Sequence, residues 1–434
     1  MKRIILLLFM LLSVFGCTEK NNTMDETARL QSENNTEPEI LEFLVYANQG
    51  MMKNYETVIQ RFNDTHDHIQ VEIHNVYGDT WTDFEQTFRS YILSGKSPDI
   101  VDISVIYRDS MIDEGLFMDL MPFAKKSGLD FDLYFDNQFS GLLKDDALYG
   151  IPSGAMLMSV FINKDLFRKA GVEIPSLDWG NTWTIDEFAE SALKFDSLST
   201  VDNPIYGMTM SLSIGWLIPF IWGEGSQFLA EELEDSPLER AMITRSIDRM
   251  NNLMFEQKSS PDLMELISLQ AFQYFLPGNL AMTIDGNWWM EGFRDGADFD
   301  WGVVPMPMNK RITTGMYVDC WAIPSSSDHG EAAFEVLSFF LEEEQQKSGI
   351  MKGIPPMKSS AAEIYQSRFP DLSAEEINVW FQGIGYGQVP AYFKGWSQFQ
   401  SETTEILNKL GLSKLTSEEA VEQILTSYNS NKEN

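Results

Sequence analysis

The chain has 434 residues, of which 44% are hydrophobic, and its formal net charge at pH 7 is −34. This composition is typical of a globular protein, and the length exceeds what one ordinary hydrophobic core accommodates, so we expect two lobes. The negative charge argues against nucleic acid and anionic lipid headgroups as partners, because it would repel both.

The first residues have the pattern of an export signal. Two basic residues precede an apolar run from Ile4 to Phe15, and Gly16 and Cys17 follow the run. Such a run is too short to span a bilayer, but it suits the hydrophobic region of a signal peptide. We therefore predict a signal peptide over residues 1–16 and an exported protein.

A polar segment follows, over residues 17–38, and it has too few apolar side chains to bury a core. We expect it to be a flexible tether that spans roughly 25 Å. Cys17 and Cys320 are the only cysteines, which argues against a disulfide framework. Cys320 is expected to be a small buried side chain in a strand.

Strands and helices alternate along the next part of the chain. The patterns predict strands at 41–46, 69–74 and 99–103, with helices around 53–62 and 83–94. This order predicts a parallel sheet with right-handed crossovers, and ligands of such sheets bind beyond the carboxyl ends of the strands. The candidate ligand-binding residues after these strands are Asn48, Gln49, Tyr77 and Asp102.

Residues 278–289 predict a short buried strand that ends in a polar, aromatic turn. An apolar run from Ala281 to Ile284 precedes Asp285, and Gly286 permits a turn before Asn287 and Trp288. Sugars need this combination, since polar groups bind their hydroxyls and a flat ring covers their C–H faces. Asp285, Asn287 and Trp288 are therefore candidate sugar contacts.

Several further motifs follow one another in a recognisable order. They lie at Ser94–Asp102, Leu148–Pro152, Ile162–Gly171, Thr182–Phe188, Ala281–Trp288, Trp301–Pro307 and Trp321–Pro324. Together they resemble the "G-x-x-PD", "YGIP", "YNKDLFEKAG", "TWDEF", "AM-x-I-x-G-x-W" and "AIP" segments of extracellular solute-binding proteins of ABC importers, of the maltose-binding and multiple-sugar-binding type. The resemblance runs from about Ile40 to the C-terminus and is weakest over the last sixty residues.

The resemblance implies an α/β fold of the type II periplasmic-binding-protein kind, in which each lobe is an open, mostly parallel sheet flanked by helices. Three crossing segments are expected near residues 152–153, 284–285 and 324–325. One lobe would then comprise 39–153 and 285–327, and the other 154–284 and 328–434. The implied partners are a sugar or oligosaccharide and the permease with its ATPase, and a monomer is expected.

A second resemblance, and the family resemblance itself, suggest roles for single residues. Val14 to Cys17 resembles a lipobox, which implies that Cys17 carries lipid and anchors the protein at the outer face of the cell membrane. Gly223 and Gly225 follow Trp222, and the family has a glycine-rich, ligand-facing segment near this place. Trp396 lies near a stacking position of the family, so Trp222 and Trp396 are both candidate ligand contacts. Relatives carry a Gly-Gly-aromatic segment where this chain has Tyr317 and Asp319. A ligand would meet a different wall at these two residues, so the resemblance does not identify the ligand.

Catalytic signatures such as His-Glu-x-x-His, Gly-x-Ser-x-Gly and the Walker loop are missing from the sequence. His66, His68 and His74 are expected on a solvated face, and the aspartates at 295, 298 and 300 lack calcium-loop spacing. We predict no enzyme, metal or cofactor. A glycan-cleaving enzyme and a binding protein for a peptide, polyamine or metal remain alternatives.

Overall fold

The computed structural model describes residues 37–76, 80–230, 235–268 and 271–432, without the side chains of 271 and 272. The predicted signal peptide, Cys17, the tether up to residue 36, and Tyr77 lie outside these ranges. The described strands are β1 (Glu39–Val45), β2 (Ile69–Asn75), β3 (Ile100–Ile103), β4 (Leu143–Lys144), β5 (Ala147–Leu148), β6 (Ile151–Asn163), β7 (Tyr206–Met210), β8 (Leu280–Gly286), β9 (Trp301–Val304), β10 (Thr314–Ala322) and β11 (Gly387–Gln388).

Helices separate most of these strands, and many of them begin with a side chain that caps a free backbone N–H group. The described α-helices are α1 (Gln49–Thr65), α2 (Trp81–Leu93), α3 (Val105–Asp113), α4 (Met121–Ser127), α5 (Asp136–Ser140), α6 (Lys164–Ala170), α7 (Ile185–Lys194), α8 (Ile214–Gly223), α9 (Pro237–Asn251), α10 (Leu263–Ser268), α11 (Ala271–Phe275), α12 (Met290–Gly296), α13 (Gly330–Phe340), α14 (Glu343–Lys347), α15 (Ala361–Arg368), α16 (Ala374–Ile384), α17 (Trp396–Gly411) and α18 (Ser417–Lys432).

Within the described ranges, nine strands form one sheet in the order β2-β1-β3-β10-β6-β8-β7, with β11 beside β10 and β9 beside β6. The outer strands pair in parallel, β1 with β2 and β3, and β7 with β8. The long central strands β6 and β10 pair antiparallel with each other and with most of their neighbours. The predicted α/β class is confirmed, and so are the first five predicted elements, with small shifts of their ends.

Two hydrophobic cores lie on the two halves of this sheet. The first core takes its side chains from residues 41–151 and 320–351, and the second core takes them from 155–318 and 354–428, together with Val105. The chain therefore changes core between 151 and 155, between 318 and 320, and between 351 and 354. These three places define a waist between the two lobes.

The predicted lobe boundaries differ from this packing in two places. The crossing expected near 152–153 lies at the waist, whereas the crossings expected near 284–285 and 324–325 lie inside the lobes. Strands β8 and β9 both pair with the second half of β6, which keeps residues 280–304 in the second core. Gly286, which suggested the first of these crossings, is the last residue of strand β8, and Pro324 and Ser325 lie at a turn within the first lobe.

Two glycines meet at the waist. Gly154 has a φ of +123°, and a side chain on it would lie 2.8 Å from the backbone nitrogen of Gly353. The flanking residues exchange backbone hydrogen bonds, from Ala155 N to Ile354 O at 3.0 Å and from Ile354 N to Ala155 O at 2.7 Å. The two crossing segments are thus held together where L side chains would not fit. No described helix is both long and apolar enough to cross a membrane.

Candidate ligand-binding cleft

A cavity of about 500 Å³ lies between the two lobes, and we call it the first compartment. Its lining comes from both cores and is rich in aromatic side chains. The aromatic members are Tyr46, Trp81, Trp216, Trp288, Trp289, Tyr317, Tyr365, Phe369, Tyr392 and Trp396. Pockets of this size and character are typical of small-molecule binding sites.

The first lobe contributes the ends of its parallel strands to this compartment. Residues 46–48 follow β1, and residues 104–106 follow β3, as the sheet topology predicts for a ligand site. Asn48 lines the cavity and also caps helix α1, since its Oδ1 accepts a hydrogen bond from Met51 N at 2.9 Å. Gln49, the first residue of α1, is exposed and is not part of the lining.

A buried ion pair supports the first-lobe wall. Lys352 lines the compartment and donates a hydrogen bond to Asp102, whose side chain is completely buried. Burial raises the pKa of Asp102 to about 6, although the Lys352 charge opposes the shift. The ammonium group also lies 4.5 Å from the ring centroid of Trp81, a cation–π contact. Asp102, predicted as a direct ligand contact, therefore lies behind Lys352 and outside the lining.

Asp319 on β10 lines the first compartment and is 3% exposed. Its Oδ1 accepts a hydrogen bond from Val105 N at 2.9 Å, at the start of helix α3. Burial raises the pKa of this carboxyl, while Lys352 and the Val105 amide oppose the rise. The hydrogen bond from Val105 N fixes the position of Asp319 Oδ1, and the carboxylate lies in the wall of the cleft.

The second lobe contributes the predicted strand and turn. Strand β8 is fully buried, and Asn287 to Trp289 follow it as a 3-10 turn. Asn287 lines the compartment and joins it to the waist: its Oδ1 accepts from Leu157 N at 3.1 Å, and its Nδ2 donates to Tyr365 Oη at 2.9 Å. Gly286 has an extended backbone and not a sharp turn; a side chain there would overlap the Trp288 indole.

Three aromatic rings form a corner between β8, β10 and α8. The Trp288 ring lies 5.6 Å from the Tyr317 ring and 6.2 Å from the Trp216 ring, in both cases edge to face. Trp216, in the first turn of α8, had no motif to mark it in the sequence. Its position becomes clear only because α8 points its N-terminal end at the cleft.

The C-terminal region closes the remaining side. Trp396 is the first residue of α17, lines the compartment and is 3% exposed. Its indole N–H has no hydrogen-bond partner among the described residues. Arg368 also lines the compartment, near Tyr365 and Phe369, and donates a hydrogen bond to Glu291 at 2.7 Å. Trp396 was predicted from a weak local match, whereas Arg368 and Glu291 were missed.

A second cavity of about 770 Å³, the second compartment, continues the cleft along the second lobe. It shares Trp216, Trp288, Trp289 and Gln400 with the first compartment. Polar side chains of α17 and of the segment just before α8 line it, together with Asp285 of β8. Asp285, Asn287, Trp288, Tyr317, Asp319, Asn48 and Trp396 thus come together around one continuous cleft.

Asp285 is buried beside the three indoles of residues 216, 288 and 289. Burial raises its pKa to about 7, although a hydrogen bond from Gly286 N, at 2.8 Å, and the adjacent indoles of Trp288 and Trp289 favour the ionised form. The carboxyl group therefore changes its charge near neutral pH. It can donate or accept a hydrogen bond toward a ligand hydroxyl, depending on pH.

The pKa of Asp285 predicts how its charge affects stability. Because the folded-state pKa of about 7 exceeds the ordinary aspartate pKa of 3.8, the folded state binds more protons, so stability falls as pH rises between these values. An Asp285→Asn variant has no carboxyl group to ionise at this position, so it does not lose stability in this way. Its free energy of unfolding relative to wild type should increase by up to ~1.4 kcal/mol per pH unit from pH 4 to 7. Urea unfolding at several pH values measures the difference, and a pH-independent difference would contradict the prediction.

The prediction that Trp222 faces the ligand is wrong. It lies in the last turn of α8, is 1% exposed, and donates its indole N–H to Phe228 O at 2.8 Å. The flanking glycines, which suggested a loop, belong to the end of a helix whose residues pack all round in the second core. The opposite end of the same helix carries Trp216.

The remaining sequence expectations concern cysteine and metals. Cys320 is fully buried in β10, as expected, and burial raises the pKa of its thiol to about 12. In the described parts of the chain, no cluster of three or more His, Cys, Asp or Glu side chains has metal-binding geometry. His68 lies 3.3 Å from Glu335, and Asp300 pairs with Arg168 at 2.9 Å.

The fold and the cleft define a two-lobed binding protein whose site lies between the lobes. A family model described as "Bacterial extracellular solute-binding protein" matches residues 48–347. The chain belongs to this family, and the resemblance to solute-binding proteins of ABC importers is confirmed. Membership in an extracellular family implies export.

Solved structures with the same fold include proteins with different ligands. The ABC substrate-binding protein of Listeria monocytogenes in complex with cycloalternan has a TM-score of 0.78, with 20% identity over 91% of this chain and 99% of that one. The GacH receptor of Streptomyces glaucescens, solved with acarbose, has a TM-score of 0.74 at 17% identity, covering 92% and 99%. UgpB of Mycobacterium tuberculosis with glycerophosphocholine has a TM-score of 0.74 at 15% identity, covering 92% and 98%.

Proposed function

We propose that this protein captures a neutral sugar or oligosaccharide in the cleft and delivers it to the permease of an ABC importer. The observation that carries the proposal is that five indoles line the first compartment, at positions 81, 216, 288, 289 and 396. Indole faces pack well against the C–H faces of pyranose rings, and the amides and carboxylates between them suit the hydroxyls. The cycloalternan and acarbose complexes of proteins with this fold agree with such a ligand.

The charges of the cleft also support a neutral ligand. Although the whole chain is strongly acidic, the charged side chains that line the first compartment are Glu291, Asp319, Lys352 and Arg368. Two negative and two positive groups cancel, and each acid has a donor or cation near it. A ligand with a net charge would gain little from this lining.

Capture would proceed by closure of the lobes about the waist. Ligand bound to one lobe adds contacts to the other lobe in the closed state, so its binding energy shifts the equilibrium toward closure. The glycine pair Gly154 and Gly353 allows the crossing segments to lie in direct backbone contact, which suits them to carry this motion. The permease would then recognise the closed form.

The proposal includes a lipid anchor at Cys17, supported by the lipobox-like sequence before it. We expect Cys17→Ser to release the protein from the membrane fraction or to block its processing, because the acylated thiol would be lost. Mass spectrometry of the mature N-terminus checks this. A wild-type N-terminus without acyl mass, in a freely soluble protein, would contradict the anchor.

A thermal-shift screen against neutral saccharides tests the function. We expect at least one saccharide to raise the melting temperature and to bind without being cleaved, since only the folded state binds it. Its affinity should change little between low and high salt, because a neutral ligand makes no long-range charge interactions. Turnover of the saccharide would favour the alternative of a glycan-cleaving enzyme. Failure of every saccharide would overturn the proposal.

A second candidate is a cationic solute, such as a polyamine or a choline-type head group. An aromatic cleft also suits quaternary ammonium ions, and one structural neighbour was solved with glycerophosphocholine. Affinity for such a ligand would fall steeply with salt if the acidic groups attracted it. The balanced charge of the first compartment favours the neutral sugar over this candidate.

A further inference from the structure

The second compartment has the chemistry of an additional ligand-binding region and not of a surface depression. It is larger than the first compartment, and the two share one wall formed by the indoles at 216, 288 and 289. The flat faces of these three indoles are therefore available to a ligand in either compartment. A ligand that stacks on this wall in the first compartment has space to extend into the second.

Helix α17 presents a polar face to the second compartment. Gln400, Thr404 and Asn408 lie four residues apart, so their side chains share one side of the helix, and all three line the cavity. Gln400 and Asn408 are half-buried. Primary amides provide both donors and acceptors, which are the groups that bind hydroxyls.

Ser213 supplies a polar group without a partner. It is the N-cap residue of the ten-residue helix α8, yet its side chain makes no capping hydrogen bond, and it is 7% exposed. Among the described residues, no group accepts from or donates to its hydroxyl. Since an unpaired buried hydroxyl is unfavourable, a ligand that hydrogen-bonds to it at the compartment wall would gain stability.

We propose that the second compartment is an extension of the sugar site, so that the ligand is an oligosaccharide longer than a disaccharide and spans both compartments. This inference rests on the proposed function. The indoles shared by the compartments stack on the central sugar units, and Ser213, Gln400 and Asn408 bind the hydroxyls of the distal ones. Asp285 is the ionisable side chain among the described residues that line this compartment, and its carboxyl group can bind sugar hydroxyls.

Isothermal titration calorimetry with malto- and manno-oligosaccharides, from the mono- to the hexasaccharide, tests the inference. For whichever of the two series binds, we expect the protein's affinity for the tetrasaccharide to be about tenfold or more higher than its affinity for the disaccharide. Asn408→Trp should fill the second compartment and abolish that rise while leaving the disaccharide affinity unchanged. Lys409→Trp, at the neighbouring position outside the lining, is the matched control and should bind like wild type.

Ser213→Ala provides a second variant, which removes only the hydroxyl. It should weaken tetrasaccharide binding about fivefold and leave disaccharide binding unchanged. Equal affinity for di- and tetrasaccharides in the wild type would overturn the inference but not the proposed function. If no saccharide of either series or of the wider screen binds, both are overturned.

Discussion

Replacing Trp288 with alanine is expected to weaken saccharide binding by about 2 kcal/mol, or roughly thirtyfold in Kd. The half-buried indole lies in both compartments, so its removal deletes a stacking surface at the centre of the cleft. Calorimetry with the saccharide that gives the largest thermal shift measures the loss. Trp288→Phe keeps a flat ring and should retain most of the affinity.

Two further variants separate binding from folding. Tyr91→Ala removes an aromatic side chain near the far end of α2, outside the cleft lining, and should leave the affinity unchanged. Gly286→Ala keeps the Trp288 indole but displaces it, because the added methyl group occupies the position of the ring. If folded Trp288→Ala binds like wild type, the indole merely packs against Trp216 and Tyr317, and the sugar contact must be sought at Trp216 or Trp396.

The second large effect concerns the buried ion pair of the first-lobe wall. Lys352→Met is expected to lower the free energy of unfolding by about 3–5 kcal/mol at pH 7.5, because it leaves the carboxylate of Asp102 buried without its cation. One oxygen of Asp102 already has no hydrogen-bond partner among the described residues. Urea unfolding without ligand measures the loss. Lowering the pH below the Asp102 pKa of about 6 should reduce this loss of stability, since protonation removes the negative charge of Asp102.

The double variant Asp102→Asn with Lys352→Met removes both charges and should be clearly more stable than Lys352→Met alone. Lys347→Met is the matched control, because Lys347 pairs with Glu343 on the surface and such pairs contribute only about 0–1 kcal/mol. A Lys352→Met protein as stable as this control would show that the pair has no structural role. The ion pair also holds Lys352 beside Trp81, so its loss should weaken ligand binding too.

The sequence by itself determined the fold class, the family and part of the site. Local patterns fixed the first strands and helices, since alternation of apolar residues and capping residues act over a few positions. The ordered motifs identified the family. The turn after β8 could be recognised because its polar and aromatic residues are contiguous, so Asp285, Asn287 and Trp288 required no knowledge of distant contacts.

Only the tertiary structure decided which distant side chains meet. Trp216, Lys352 and Arg368 reach the cleft because helices and crossing segments far apart in sequence converge at the waist. Glycines misled the interpretation of Trp222, since they mark a helix end as readily as a loop, and burial could not be read from the local sequence. Asp102 was expected to contact ligand, but its role depends on Lys352, 250 residues away.

The lobe boundaries, too, could not be predicted from the local sequence. Turn-forming residues near 285 and 325 were visible in the sequence, but whether a turn lies inside a lobe or between lobes depends on which strands pair. The actual crossings are set by β6, β10 and the segment before Ile354, which contact both cores. Local sequence thus specified the elements, whereas long-range pairing and packing decided how they divide into lobes and which residues line the cleft.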